Sequence, residues 1–245
     1  MVRWLDPLRA GLDAAGGPVS VFLRDDDAGW SDDRLYVLLD RFLEYGLPLD
    51  LAVIPTALRP PLARELRDRA GTQLCLHQHG FAHANHEPDG RKYEFGPSRS
   101  RAEQRRDIET GRALLEEHLG GLLAPIFSPP WNRCTVETGE CLAELGFSVL
   151  SRESRAEPLG VPGLRELPVS LDFVRLEPDE LARRSAAARA PVGVIFHHAE
   201  MDEAEMARAG PLASSSATTT RAGATTGSAS CWTGWRCTGC RSTSP

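Results

Sequence analysis

The sequence predicts an α/β protein built as a parallel (β/α) barrel, and two observations carry that expectation. Short apolar, β-prone runs alternate with amphipathic helical segments about every 25–30 residues, the pattern of βα units around a parallel sheet. Four polar clusters, Asp25–Asp27, His77–His86, Pro129–Asn132 and His197–His198, each lie just after one of those runs. The carboxyl ends of parallel strands share one rim of a barrel, where that fold does its chemistry.

Pro18–Leu23 reads as a first buried strand running into Arg24-Asp25-Asp26-Asp27-Ala28-Gly29. Three consecutive carboxylates repel one another unless a cation lies among them. Ser31 is placed to cap a helix with Asp32 and Asp33 in its first turn, where the helix dipole favours negative charge. Leu35, Leu38, Leu39, Phe42 and Leu43 supply its core-facing stripe and Gly46 its end. Leu49–Ile54 is the next strand, stopped by Pro55, and Pro60–Ala70 the next helix.

Gln73–Leu76 forms a third strand and delivers four of the chain's seven histidines: His77, His79, His83 and His86. Neutral imidazole is a common metal ligand, and a helical turn would bring His79 and His83, four apart, onto one face. The loop over 86–98 contains Pro88, Gly90, Gly96 and Pro97 and suits a substrate-facing flap. A long helix over 99–119 carries Glu and Arg at i, i+4 spacing. Pro125–Asn132 is a strand ending in a double proline that presents an aromatic and an amide. Thr135 opens a helix to Leu145, closed by Gly146. Strands follow at Phe147–Leu150 and at Glu166–Phe173, the latter carrying Asp172. Pro178 starts a helix to Ala190, and Val192–Phe196 is an apolar strand ending in His197-His198.

A net charge of -6 without a basic stripe speaks against a nucleic-acid partner. No apolar run is long enough to span a membrane. The first twenty residues contain Arg3, Asp6, Arg9 and Asp13 rather than the apolar core of a signal peptide, so the expected location is cytoplasmic. The six cysteines are accordingly not expected to pair. From Gly210 onward the chain has no Asp or Glu and is rich in Ser, Thr, Ala and Gly. The expected division is therefore a barrel domain over 1–208 and a low-complexity tail over 209–245, disordered or the product of a shifted reading frame.

Together these residues resemble the polysaccharide deacetylase family, the NodB-homology or carbohydrate esterase 4-like hydrolases, over about residues 19–202, and especially its divergent bacterial members. The resemblance implies a distorted parallel (β/α) barrel of the NodB type. No convincing last strand follows Met206, so the barrel is expected to be incomplete at its C-terminus. Arg24-Asp25-Asp26-Asp27-Ala28-Gly29 looks like the family's first motif, which makes Asp26 the catalytic base and Asp27 a metal ligand. A one-residue shift, to Asp25 and Asp26, is also compatible with the motif. His79-Gly80-Phe81-Ala82-His83 matches the His-x-x-x-His motif and implies two further metal ligands, His79 and His83. Val194-Ile195-Phe196-His197 looks like the strand that ends in the general-acid histidine.

Ser128-Pro129-Pro130-Trp131-Asn132 resembles the motif in which an arginine normally precedes the prolines. Ser128 departs from it, and Arg24 is a candidate substitute for holding the base. Asp172 matches the family's fourth motif only loosely. Phe81, Pro130, Trp131 and Asn132 are expected to line the substrate pocket. The implied reaction is metal-dependent hydrolysis of a non-peptide carbon–nitrogen amide bond, most simply the deacetylation of an N-acetylated sugar or related small molecule. The implied cofactor is a divalent cation, zinc before others. The rival readings are a non-catalytic paralogue that binds metal and carbohydrate, and a cyclic amide hydrolase.

Overall fold

The computed structural model describes residues 19–70, 73–175, 191–215 and 235–237. In chain order these form β1 (Val19–Ala28), α1 (Asp32–Glu44), β2 (Leu49–Val53), α2 (Pro60–Arg69), β3 (Leu74–His79), α3 (Arg101–Leu119), β4 (Leu123–Ser128) and α4 (Val136–Glu144). Then come β5 (Val149–Leu150), β6 (Arg165–Glu166), β7 (Val169–Asp172), β8 (Val192–Phe196), α5 (Glu203–Ser215) and β9 (Trp235–Cys237). The helix expected over 178–190 lies outside the described residues.

The first eight strands are parallel, in the spatial order 6-5-4-3-2-1-8-7, and curl into a distorted (β/α) barrel. β6 and β7 are successive pieces of one segment. Its first half pairs with β5 and its second half with β8. Between the two, Val169 N donates to Arg152 O and Ser154 N donates to Val169 O, each at 2.8 Å. Among the described residues no parallel strand follows β8, while β9 pairs antiparallel with Val19–Val21 of β1. None of the described helices is long and apolar enough to cross a membrane.

Pleating sends alternate side chains to opposite faces, and here both faces are buried, as a parallel sheet requires. Phe22, Cys75, Ala124, Ile126, Val149, Leu167, Val169 and Ile195 fill the inside of the barrel. Their neighbours Leu23, Leu51, Leu76, Val194 and Phe196 point outward, into a core shared with α1, α2, α3 and α5. A smaller cluster around Phe95, Phe127, Leu142 and Phe147 lies under α4. Continuing the inward column upward gives Arg24 and Asp26 on β1, His77 and His79 on β3, and Ser128 on β4. The barrel therefore has an apolar floor and a polar upper storey.

Three local expectations change. Ser31 precedes α1 but adopts a left-handed backbone (φ 51°) and makes no side-chain cap, since that geometry turns its hydroxyl away from the first helical amides. Leu43 is 64% exposed, because the helix turns it off the stripe of Leu35, Leu38, Leu39 and Phe42 just before its end. α3 begins two residues later than expected, at a Ser100–Glu103 capping box.

Candidate metal and catalytic site

β1 and β2 lose register between Asp25 and Ala28, and Asp27 has a left-handed backbone (φ 71°). Such a bulge re-aims a side chain that the pleat would send elsewhere. Asp26 and Asp27 consequently both serve the upper storey although they are adjacent. Asp25 faces the other way. Its carboxylate accepts from His198 Nδ1 at 2.7 Å and from His198 N at 3.1 Å. His198 Nε2 donates to Trp30 O at 2.7 Å. Of the two registers the sequence leaves open, the structure brings Asp26 and Asp27 to the histidines and commits Asp25 to a buried pair.

Asp27 Oδ1 lies 3.1 Å from His79 Nε2 and 3.2 Å from His83 Nε2, and these ligand atoms all fall within 4.8 Å of one another. His79 Nδ1 contacts Ser128 O at 3.0 Å; a carbonyl only accepts, so the proton of a neutral ring sits on Nδ1. That leaves a lone pair on Nε2 aimed at a carboxylate oxygen, two acceptors that need a proton or a cation between them. Asp27 Oδ1 is buried and receives no hydrogen bond. The donor set thus fits a divalent metal of the zinc type, with a carbonyl behind one histidine to fix its tautomer. Burial pushes the Asp27 carboxyl up; without a cation, protonated His79 and His83 outweigh it and hold it far below the usual carboxylate range.

His79 ends β3, whereas His83 comes from a loop rather than a helical turn. Glu94, fully buried, accepts from Phe81 N (2.9 Å), Ala82 N (2.7 Å) and Ala84 N (3.2 Å) and so fixes that loop. Gly80 is needed at the turn: its φ is +55°, and a Cβ there would lie 2.1 Å from Glu94 Oε2 and 2.6 Å from the Pro130 ring. His83 itself has φ 54° and sits edge-on between Trp30 and Trp131, at 4.6 and 4.5 Å between ring centroids. Trp131 (φ 54°) and Asn132 (φ 58°) are also left-handed. Backbone in this region is costly for residues other than glycine and collects at functional sites.

Arg24, 1% exposed, grips Asp26 through Nε–Oδ1 (2.8 Å) and Nη2–Oδ2 (2.9 Å). The guanidinium also donates to Asn132 Oδ1 (2.6 Å), Ser151 Oγ (2.8 Å) and Ser151 O (3.0 Å). Burial raises the Asp26 pKa, but Arg24, with His79 and His197, more than offsets this and keeps the carboxyl ionised below its usual range. Ser128 Oγ instead sits between His77 Nε2 (3.1 Å) and His79 Nδ1 (3.2 Å). Burial and the Arg24 charge push His77 down to about 3, so it is a neutral spacer.

Beside this cluster opens a groove of about 500 Å³ lined by Trp131, Asn132, Asp172 and His197. His197 is half-buried and its Nδ1 has no hydrogen-bond partner. Two expected pocket residues lie elsewhere. Phe81 packs on the outer cluster with Phe95 and Ile108, because Glu94 holds its backbone facing inward and the ring must point out. Pro130 is buried against Gly80. Glu94 and Trp30 are the functional neighbours that sequence spacing did not single out; a lone glutamate in a loop carries no signal until its three amides are known.

No protein-family model matches the chain, and no curated protein matches it. Solved structures do. A putative polysaccharide deacetylase from Mycobacterium smegmatis superposes with a TM-score of 0.57 at 18% identity, over 77% of this chain and 80% of that one. A family 4 carbohydrate esterase from Streptomyces lividans, solved with acetate, gives 0.54 at 16% identity over 80% and 87%. A family 4 pseudoenzyme from Bacillus anthracis gives 0.55 at 14% identity over 79% and 58%. At these identities what is shared is the architecture: this chain has the fold of the family 4 carbohydrate esterases and polysaccharide deacetylases.

Proposed function

We propose that the chain is a metal-dependent hydrolase of non-peptide carbon–nitrogen amide bonds, removing the acyl group from an N-acetylated sugar or related small substrate. The observation that carries this reading is the convergence of Asp27, His79 and His83 beside an arginine-held carboxylate, Asp26, at the rim of a deacetylase-type barrel. Asp27, His79 and His83 hold the cation, which when bound supplies carbonyl polarisation and acidification of water. Asp26, kept ionised and aimed by Arg24, takes the proton of the attacking water. His197 returns a proton to the departing nitrogen as the carbon–nitrogen bond breaks, giving a carboxylate and an amine. Trp131 and Asn132 shape the acyl end of the groove.

Elemental analysis of purified protein, wild type beside His79→Ala and His83→Ala, tests the metal face. About one equivalent of zinc or a related metal is expected in the wild type and none in either variant. Hydrolysis is then followed on N-acetylated sugars and on cyclic amides. Folded protein that takes up no metal from excess zinc would overturn the reading. The second reading, a binder without turnover, is favoured by Ser128 standing where the family has its arginine. Metal and sugar binding without acetate release would establish it.

A further inference from the structure

We propose that a second cavity, adjoining the groove of the candidate site, binds an anionic group (a carboxylate or a phosphate), so that the substrate is an acidic rather than a neutral amide. The cavity measures about 690 Å³ and is lined by Arg91, Arg133, Arg152 and Arg155 against two acids, Glu153 and Glu157. With Arg152 paired to Glu166, one cation remains in excess around this cavity, in a chain whose net charge is -6. It shares Asn132, Arg133, Glu153 and Arg155 with the groove that holds His197, so one ligand can reach both.

The arginines are not used up by the protein. Arg152 is 5% exposed; its Nη2 binds Glu166 Oε2 (2.6 Å) and Glu157 O (2.9 Å), yet its Nε is buried without a partner. Arg133 has a buried, unpartnered Nε, one long bond from Nη1 to Lys92 O (3.4 Å) and its guanidinium 6.0 Å from the centre of the Tyr93 ring. Neither Arg91 nor Arg155 makes an ion pair with any described residue, and both are exposed. The planar guanidinium forks of the exposed Arg91 and Arg155 match carboxylate and phosphate oxygens in pairs. Thr135 and Val136, at the start of α4, line the same cavity and add the positive end of a helix dipole. This inference rests on the proposed function only for the position of the acyl group.

Calorimetric binding to the full chain compares three probes: N-acetylglucosamine, its 6-phosphate, and N-acetylmuramic acid. At least one acid is expected to bind about tenfold or more tightly than the neutral sugar, which at roughly 1.4 kcal/mol is one good charged contact. The preferred acid identifies phosphate or carboxylate as the source. Arg91→Ala, at an exposed position that lines only the second cavity, is expected to remove that advantage while leaving the neutral sugar's affinity unchanged. Arg155→Ala and Arg133→Gln, which line both the cavity and the groove, are expected to weaken the acid by a larger factor than the neutral sugar. Equal affinity for acid and neutral probes, or variants that weaken all three alike, would overturn the anion site. Arginine-dependent acid binding without acetate release keeps the anion site and sinks the hydrolase. Hydrolysis of neutral sugars with no acid preference does the reverse.

Discussion

Asp25 and Asp26 are neighbours at the end of β1, 0% and 2% exposed, and they look out from opposite faces of the sheet. Asp26 faces an arginine and two histidines, one of which, His197, lines the groove; Asp25 faces His198 in a closed contact between β1, β8 and the Trp30 turn. Both are buried charges with partners, the condition under which burial is tolerated. What differs is access. The inward carboxylate keeps company with a histidine that has a free nitrogen, the outward one with a histidine whose two nitrogens are both engaged. On the proposed mechanism, burial and pairing are common to both carboxylates, and the unsatisfied His197 beside the groove is what sets Asp26 apart.

The sharpest way to break this contrast is Asp26→Asn. On the proposed mechanism it lowers turnover by about 10²–10⁴-fold, the usual worth of a general base, with metal content unchanged in elemental analysis. Undiminished turnover would remove Asp26 from the chemistry. His198→Ala is expected to act on stability, by about 3–5 kcal/mol in urea unfolding, because Asp25 is left as a buried charge without its partner. A variant of full stability and poor turnover would instead move the Asp25–His198 pair into the active site. Arg24→Lys keeps the charge but loses the fork that aims Asp26, and kcat is expected to fall about tenfold with KM steady.

A smaller effect follows from pH. His198 is pushed up to about 9: burial lowers it, but Asp25 and the Trp30 carbonyl outweigh that. A histidine whose folded pKa lies above its unfolded value contributes stability that is complete below about 6.5 and is lost as pH rises through about 9. Desolvation likewise pushes Asp50 up to about 7 against its Cys75 hydrogen bond and the Arg24 charge. Unfolding midpoints should thus fall between about pH 4 and 9. Asp50→Asn is expected to flatten the lower part of that slope; an unchanged slope would show that Asp50 does not titrate there.

Much of this organisation was legible in the sequence. The strand-then-cluster rhythm placed β1, β2, β3, β4 and β8, and the rim they share, because parallel strands read as continuous apolar runs. The resemblance put an aspartate of the Asp25–Asp27 run with His79 and His83, and the structure brings Asp27 within 4.8 Å of both. Which aspartate of three faced inward was not legible, since it depends on the bulge between Asp25 and Ala28, a departure from pleat alternation that no residue there announces. Phe81 was misplaced for a related reason. Its direction is set by Glu94, thirteen residues downstream, through backbone hydrogen bonds. The resemblance singled out His197, and the phase of β8 turns its neighbour His198 onto Asp25 instead.

The segment from Arg165 to Asp172 has a consequence for how the barrel comes apart. β1, β2, β3 and β8 are held by ladders of up to five residue pairs, whereas β5 and β6 share two, and one bridge at Glu153 and Val169 completes the circuit. Local opening draws on the least-bonded part of a structure. Amide hydrogens of Leu167 and Val169 should therefore exchange with deuterated water sooner than those of Leu51 or Val194. The barrel would unclasp at that seam first, along the wall that carries Arg152 and Arg155, while the Asp27–His79 wall stays shut.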